Sequence, residues 1–264
     1  MTKVLYIGDI MGEPGIESVQ QILPEIRAKH KIDLVIAQAE NVTNGKGMSV
    51  SDMESLSEMG VDFFTGGNHT PTLKELIPLL EDLNSPVIGP ANYPLCPGRG
   101  WKYINIPEGR ILIISLLGQT VGRVVETTNP LSVVDRILDE NRSEERVATI
   151  VNFHGDYSSE KRVIGYYLDG RVTAVIGDHW HVPTTDAMIL PRGTAHITDV
   201  GMCGSLHSSL GVKTEIIVSR WRDDIISRNE LAGEKPFQFN AVLIKSNNSS
   251  GLADSIEQIQ RMIN

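Results

Sequence analysis

Five apolar runs in this chain are each followed by a side chain able to bind a metal ion. Asp9 follows residues 4–8, Glu40 and Asn41 follow residues 34–37, and Asn68 and His69 follow residues 63–67. His154 follows residues 149–153, and His179 and His181 follow residues 174–177. Short apolar runs ending in glycine or polar residues read as buried strands. Parallel strands of one sheet bring their C-terminal ends to one edge, where an open α/β sheet binds its ligands. The pattern therefore predicts that residues far apart in sequence meet at a single site.

Between these runs the spacing turns helical. Ile16, Val19, Ile22, Leu23 and Ile26 mark a helix over residues 16–30, with a kink expected at Pro24. Ser51 reads as the N-cap of a helix through Met59, Glu54 completing a capping box and Gly60 stopping it. Further helices are expected over residues 73–83, 131–141 and 159–168, and a short one at the C-terminus from Ile256, Ile259 and Ile263. Residues 103–106 and 111–116 read as a hairpin, as do 188–190 and 195–198, and residues 239–244 as a late strand. Alternating strands and helices imply a mainly parallel sheet covered on both faces, and the hairpins add antiparallel strands, giving a mixed sheet or a two-sheet sandwich. With no repeat and no long linker, residues 1–264 are expected to form one domain.

The chain carries a formal charge of −9. That argues against a long nucleic acid as partner, since duplex binding rests on many Lys and Arg contacts to phosphate. Cys96 and Cys203 form no metal or disulfide framework and read as reduced thiols of a cytoplasmic protein. No signal peptide and no membrane span is expected. A homo-oligomer stays open.

Taken singly, each polar residue has an ordinary structural explanation. Asp9 could cap a helix, Asn68 could serve a turn, and His154 could be a core histidine. His179-Trp180-His181 is stronger, because in an extended segment both imidazoles would face one way and Trp180 the other. Jointly, Asp9, Glu40, Asn41, Asn68, His154, His179 and His181 offer two carboxylates, two amide oxygens and three imidazoles. That mixture suits manganese, iron or zinc better than calcium or magnesium, and seven ligands suit two metals sharing one carboxylate. Two divalent ions less two carboxylates leave about +2, which a hydroxide and a phosphodiester neutralise. His69, next to Asn68, is the natural general acid for the leaving oxygen.

The motifs Gly8-Asp9-Ile10-Met11-Gly12, Ala39-Glu40-Asn41, Gly67-Asn68-His69-Thr70, Phe153-His154 and His179-Trp180-His181-Val182 resemble the YmdB-like branch of the calcineurin-like metallophosphoesterases. So do Pro90-Ala91-Asn92-Tyr93-Pro94 and Thr198-Asp199-Val200-Gly201-Met202. The resemblance implies a four-layer α/β sandwich, with mixed sheets flanked by helices, and phosphodiesterase activity on small cyclic nucleotides. It implies that Asp9, Glu40, Asn41 and His181 hold one metal, that Glu40, Asn68, His154 and His179 hold the other, and that His69 is the proton donor. Iron is the metal it implies first, with manganese or zinc as substitutes. This chain departs from the family pattern beside the ligands, at Pro71, Asn152, Asp156, Asp178 and Trp180. Asp178 is expected to orient a ligand histidine, and Trp180 and Pro71 to shape the pocket. Other readings are a phosphomonoesterase or nuclease of the same fold, or a metal-binding regulatory protein whose turnover is secondary.

Overall fold

The structure, a computed structural model, describes residues 1–121 and 126–264. From the N-terminus it runs β1 (Thr2–Ile7), β2 (Asp9–Ile10), α1 (Gly12–His30), β3 (Leu34–Gln38), α2 (Val50–Glu58), β4 (Phe63–Thr65) and α3 (Ile77–Glu81). The hairpin β5 (Trp101–Ile106) and β6 (Gly109–Leu117) follows, then α4 (Pro130–Glu140), β7 (Ala148–His154), α5 (Ser158–Tyr167) and β8 (Ala174–Asp178). The remainder is β9 (Met188–Ile189), β10 (Ala195–Ile197), β11 (Met202–Ser205), α6 (Thr214–Asp223), β12 (Phe237–Ser246) and β13 (Ala253–Ile263). No helix among the described residues is long and apolar enough to cross a membrane.

The strands form two mixed sheets. One is ordered β2-β11-β12-β1-β3-β4, with β13 paired along β12. Here β1, β3 and β4 are parallel, while β12 runs antiparallel to β1. The other is ordered β5-β6-β7-β8-β10-β9, with β6, β7, β8 and β10 parallel and a hairpin at each edge. The strand-end residues therefore come from two sheets, where one sheet was the simplest expectation.

Strand alternation explains how two sheets build three apolar layers. In β1, Leu5 and Ile7 face α1 and α2, packing with Val19, Leu23, Ile26, Met53 and Leu56. Val4 and Tyr6 face the other way, against Ile113, Ile150 and Ile176 of the second sheet. On the far side Leu112, Ile114 and Val151 pack under α4 and α5 through Val134, Ile137 and Ile164. The result is the expected four-layer order of helices, sheet, sheet and helices. Helix α1 continues through Pro24 to His30.

Three local expectations need correction. Ser49, not Ser51, caps α2: its hydroxyl accepts from the Asp52 N–H at 3.0 Å. The same capping logic operates two residues earlier. Residues 73–83 do not form one helix. Two 3₁₀ turns at Thr70–Thr72 and Lys74–Leu76 precede a five-residue α3, because Pro71 and Pro78 interrupt the bonding and Leu73 is extended. The C-terminal segment is an eleven-residue strand rather than a helix. Ile259 and Ile263 face the helix-side core while Ile256 faces the inter-sheet core, so burial on both faces mimics a helical spacing. Helix α6, which the spacing did not predict, has no buried residue.

Candidate metal centre

The inward faces of the strands turn polar just before they end. Tyr6, Gln38, Thr65, Ser115, Asn152 and Asp178 succeed apolar residues of the inter-sheet core, and all are buried. They bond one another into a closed layer with Asp178 at its centre. The Asp178 carboxylate accepts from Tyr6 Oη at 2.8 Å, Gln38 Nε2 at 3.2 Å, Asn152 Nδ2 at 2.5 Å and His154 Nδ1 at 2.7 Å. Ser115 donates to Asn152 Oδ1 at 2.8 Å, and Tyr6 and Thr65 hydroxyls meet at 2.8 Å. A buried carboxylate is tolerable only when hydrogen-bonded this fully. The histidine that Asp178 holds is His154 on the neighbouring strand rather than His179 beside it in sequence.

On this layer stand the expected ligands. Glu40 lies across the gap between the sheets, with Oε1 3.0 Å from His154 Nε2 and Oε2 accepting the His69 backbone N–H at 2.7 Å. His181 Nε2 lies 3.2 Å from Asn41 Nδ2 and 3.7 Å from Asp9 Oδ1. His179 stacks edge-on against His154 with ring centroids 4.4 Å apart, and its backbone N–H donates to Asp9 Oδ2 at 3.2 Å. Glu40, His154 and His179 can direct one atom each to a common point. Asp9, His154 and Asp178 also approach one another closely, but the Asp178 oxygens are already occupied by four donors.

Each imidazole is anchored through one nitrogen. His154 Nδ1 is held by Asp178, His179 Nε2 by Asp156 Oδ1 at 3.0 Å, and His181 Nδ1 by the Leu210 carbonyl at 3.0 Å. The other nitrogen of each points away from that anchor, His181 Nε2 toward the Asn41 amide and His154 Nε2 toward Glu40, the arrangement that orients metal-ligating histidines. Asp9 Oδ1, Asn68 Oδ1 and His154 Nε2 are buried without a hydrogen bond; the His154–Glu40 approach is close but poorly aligned for one. Unsatisfied buried polar atoms are rare and costly, so three of them among the expected ligands fit a site shaped for cations.

The electrostatics agree. Burial, followed by repulsion from His154, brings His179 down to about 4, and burial also takes His181 to about 4, so both rings are neutral and able to ligate. Burial alone would raise Glu40, but His154 overrides it and holds the carboxylate at about 2. Burial depresses His154 too, yet Glu40 and Asp178 together raise it well above the ordinary histidine range. Burial, followed by repulsion from Asp178, raises Asp9. Compressed negative charge of this kind is relieved by cations.

His69 is separate from the ligand clusters. Its imidazole is half-buried at the head of the 70–72 turn, and burial lowers its pKa against the pull of Glu40. Pro71 is half-buried in that turn.

The extended-strand account of His179 and His181 is wrong in detail. Strand β8 stops at Asp178, and His179 and His181 have φ of 103° and 61°. Positive φ is strained for such residues. The strain is held by Lys161 of α5, whose buried ammonium donates at 2.6 Å both to the Asp178 carbonyl and to Asp199 Oδ2. Asp199 also accepts the Trp180 and Gly201 N–H groups. Trp180 does not simply face away: it stacks under Lys161 at 4.0 Å, and its indole donates to the Asp156 carbonyl at 2.7 Å. Sequence reasoning passed over Lys161, Asp199, Gln38 and Tyr6. Gln38 and Asn152 each lie two residues before a ligand, and that spacing was the available signal.

The family described as YmdB-like protein matches residues 5–259. The chain belongs to the YmdB-like family. A 2′,3′-cyclic-nucleotide 2′-phosphodiesterase of Bacillus subtilis (strain 168) is 34% identical over 258 residues, 97% of this chain and 96% of the relative. Among solved structures, a hypothetical protein from Thermus thermophilus matches with a TM-score of 0.90 and 35% identity, each chain fully covered. A protein titled a novel phosphatase, from Mycoplasma pneumoniae, matches with a TM-score of 0.91 and 31% identity over 99% of this chain and 93% of that one. These likenesses place this YmdB-like chain among the hydrolytic phosphoesterases and agree with its two-sheet sandwich.

Proposed function

We propose that the chain is a phosphodiesterase of small cyclic nucleotides, those with a 2′,3′-cyclic phosphate among them, working with two divalent transition-metal ions. The observation that carries this reading is the set of unpaired buried atoms on Asp9, Asn68 and His154, together with three imidazoles each anchored through one nitrogen. The name of the Bacillus subtilis relative supports the substrate class. Asp9, Asn41 and His181 would hold one ion, Asn68, His154 and His179 the other, and Glu40 both. The mixed oxygen and nitrogen donors suit iron, manganese or zinc, and the family resemblance puts iron first. Bound there, the ions supply positive charge for the phosphate and a nucleophile available at neutral pH.

The remaining chemistry belongs to the chain. His69 donates a proton to the leaving oxygen; partial burial, which lowers its pKa, makes its imidazolium a stronger acid. Its own N–H fixes Glu40, so the acid and the shared carboxylate move together. Asp178, Asp156 and the Leu210 carbonyl hold the imidazoles in the required tautomers. Expression with iron and manganese available should give about two ions per chain by elemental analysis. His69→Ala should keep the metal and lose turnover by about 100-fold or more, whereas Glu40→Gln should lose both. A metal-free wild-type preparation would sink the reading, and full turnover in His69→Ala would remove the acid assignment.

A further inference from the structure

The inter-sheet face of the first sheet changes character toward the metal centre. Along β12 the inward positions run Ile244, Val242, Asn240 and Gln238, and opposite them on β13 stand Ile256, Gln258, Gln260 and Met262. Ile244 and Val242 belong to the apolar core between the sheets. Asn240 and Gln238 do not, and with Gln260, Met262 and the 181–183 segment they line a cavity of about 570 Å³. That volume is in the range that encloses a small ligand.

The cavity and the metal centre share a wall. His181, whose Nε2 faces Asp9 and Asn41, lines the cavity too. Met202, another lining residue, is the register partner of Asp9, and Asn240 accepts the Gly8 N–H through its carbonyl.

The lining selects a chemistry. Val182, Leu206, Leu210 and Met262 give apolar surface, and no carboxylate lines the cavity among the described residues. Arg261 brings one guanidinium to the lining, its Nη1 donating to the Gln260 carbonyl at 2.8 Å. The Asn240 amide is committed, donating to the Met202 carbonyl at 2.7 Å and to Gln238 Oε1 at 3.0 Å. That leaves Gln238 Nε2 and the whole Gln260 side-chain amide without a hydrogen bond among the described residues. Apolar walls with uncommitted neutral amides suit a flat group carrying donors and acceptors on its edge, and a guanidinium stacks on such a ring. A sugar would leave the apolar walls unused.

We propose that this cavity is the subsite for the nucleobase of the substrate, with Gln238 and Gln260 reading the edge of the base. The proposal rests on the phosphodiesterase reading, and two separate measurements keep them apart. The first is calorimetric titration of adenosine, which has no phosphate to hydrolyse, into the metal-loaded full chain. Binding is expected in the wild type and at least tenfold weaker in Gln238→Leu and in Gln260→Leu. Gln260 lies on an exposed strand, so its replacement does not endanger folding. The second compares 2′,3′-cyclic AMP with bis(4-nitrophenyl) phosphate, a diester without a base. In both variants KM for the cyclic nucleotide should rise about tenfold with kcat nearly retained, and the preference for it over the aryl diester should fall by the same factor. Undetectable adenosine binding to the wild type, or equal binding in all three proteins, overturns the subsite whatever the activity. Absence of aryl-diester turnover with metal bound overturns the phosphodiesterase reading and leaves the adenosine result to stand or fall alone.

Discussion

The spacing of the site depends on a hydrogen atom at one position. A β-carbon on Gly67 would overlap both the Glu40 carboxylate and the His154 ring. Both neighbours are buried and pinned, Glu40 by the His69 N–H and His154 by Asp178, so neither can move aside. Gly67→Ala should therefore lower turnover about 100-fold, the scale of loss that follows a misplacement of about 1 Å, and reduce metal content. Gly233→Ala, where nothing lies within 4 Å, is the control. Wild-type turnover and metal content in Gly67→Ala would show that the site tolerates the displacement. At this scale the meeting of Asp9, Glu40, His154, His179 and His181 was legible because each stands where an apolar run stops. Tyr6 was not, because a polar side chain inside an apolar run gives no sign of what it meets across the sandwich.

Among elements, the 179–182 loop is held by its neighbours more than by its own sequence. Lys161 and Asp199 are fully buried and bonded at 2.6 Å, and the same ammonium holds the Asp178 carbonyl. Removing one partner strands the other's charge. Lys161→Met should therefore cost about 3–5 kcal/mol in urea unfolding of the metal-free protein and weaken metal retention through His179 and His181. A midpoint close to that of the wild type would mean that α5 does not brace the loop. The same scale explains the misread C-terminus. Ile256, Ile259 and Ile263 are spaced for a helix, but the whole length of β12 was available as a partner, with ten register pairs from Phe237↔Ile263 to Ser246↔Ala253. Pairing with a strand already placed outweighs local spacing, and nothing local announces such a partner. The hairpins were legible because their partners lie next to them in sequence, as with Ile106↔Gly109.

Across the whole molecule, two thiols report on the core. Cys96 and Cys203 are free and buried in the layer beneath α1 and α2, and burial pushes each up to about 12. An unfolded cysteine ionises near 8.5, so between roughly pH 9 and 12 the unfolded chain holds fewer protons than the folded one. Their contribution to stability therefore falls as pH rises through that window. At pH 8 neither thiol should react with a disulfide reagent in the native protein, and both should react at once in guanidinium. Rapid native labelling would show that the layer opens. The α/β class was legible from alternation and the hairpins, and the four layers from the family resemblance, whereas the division of the site-bearing strands between two sheets depended on pairings that no local pattern carries. One of those pairings sets a clock. Ile7, two residues before Asp9, lies in register with Ala241. At roughly 5–20 residues per second, a ribosome needs on the order of 10–50 s to deliver β12 after β1. During that interval β1, which leads into Asp9, has no antiparallel neighbour to fix it, so the candidate metal centre can be completed only after β12 has been translated.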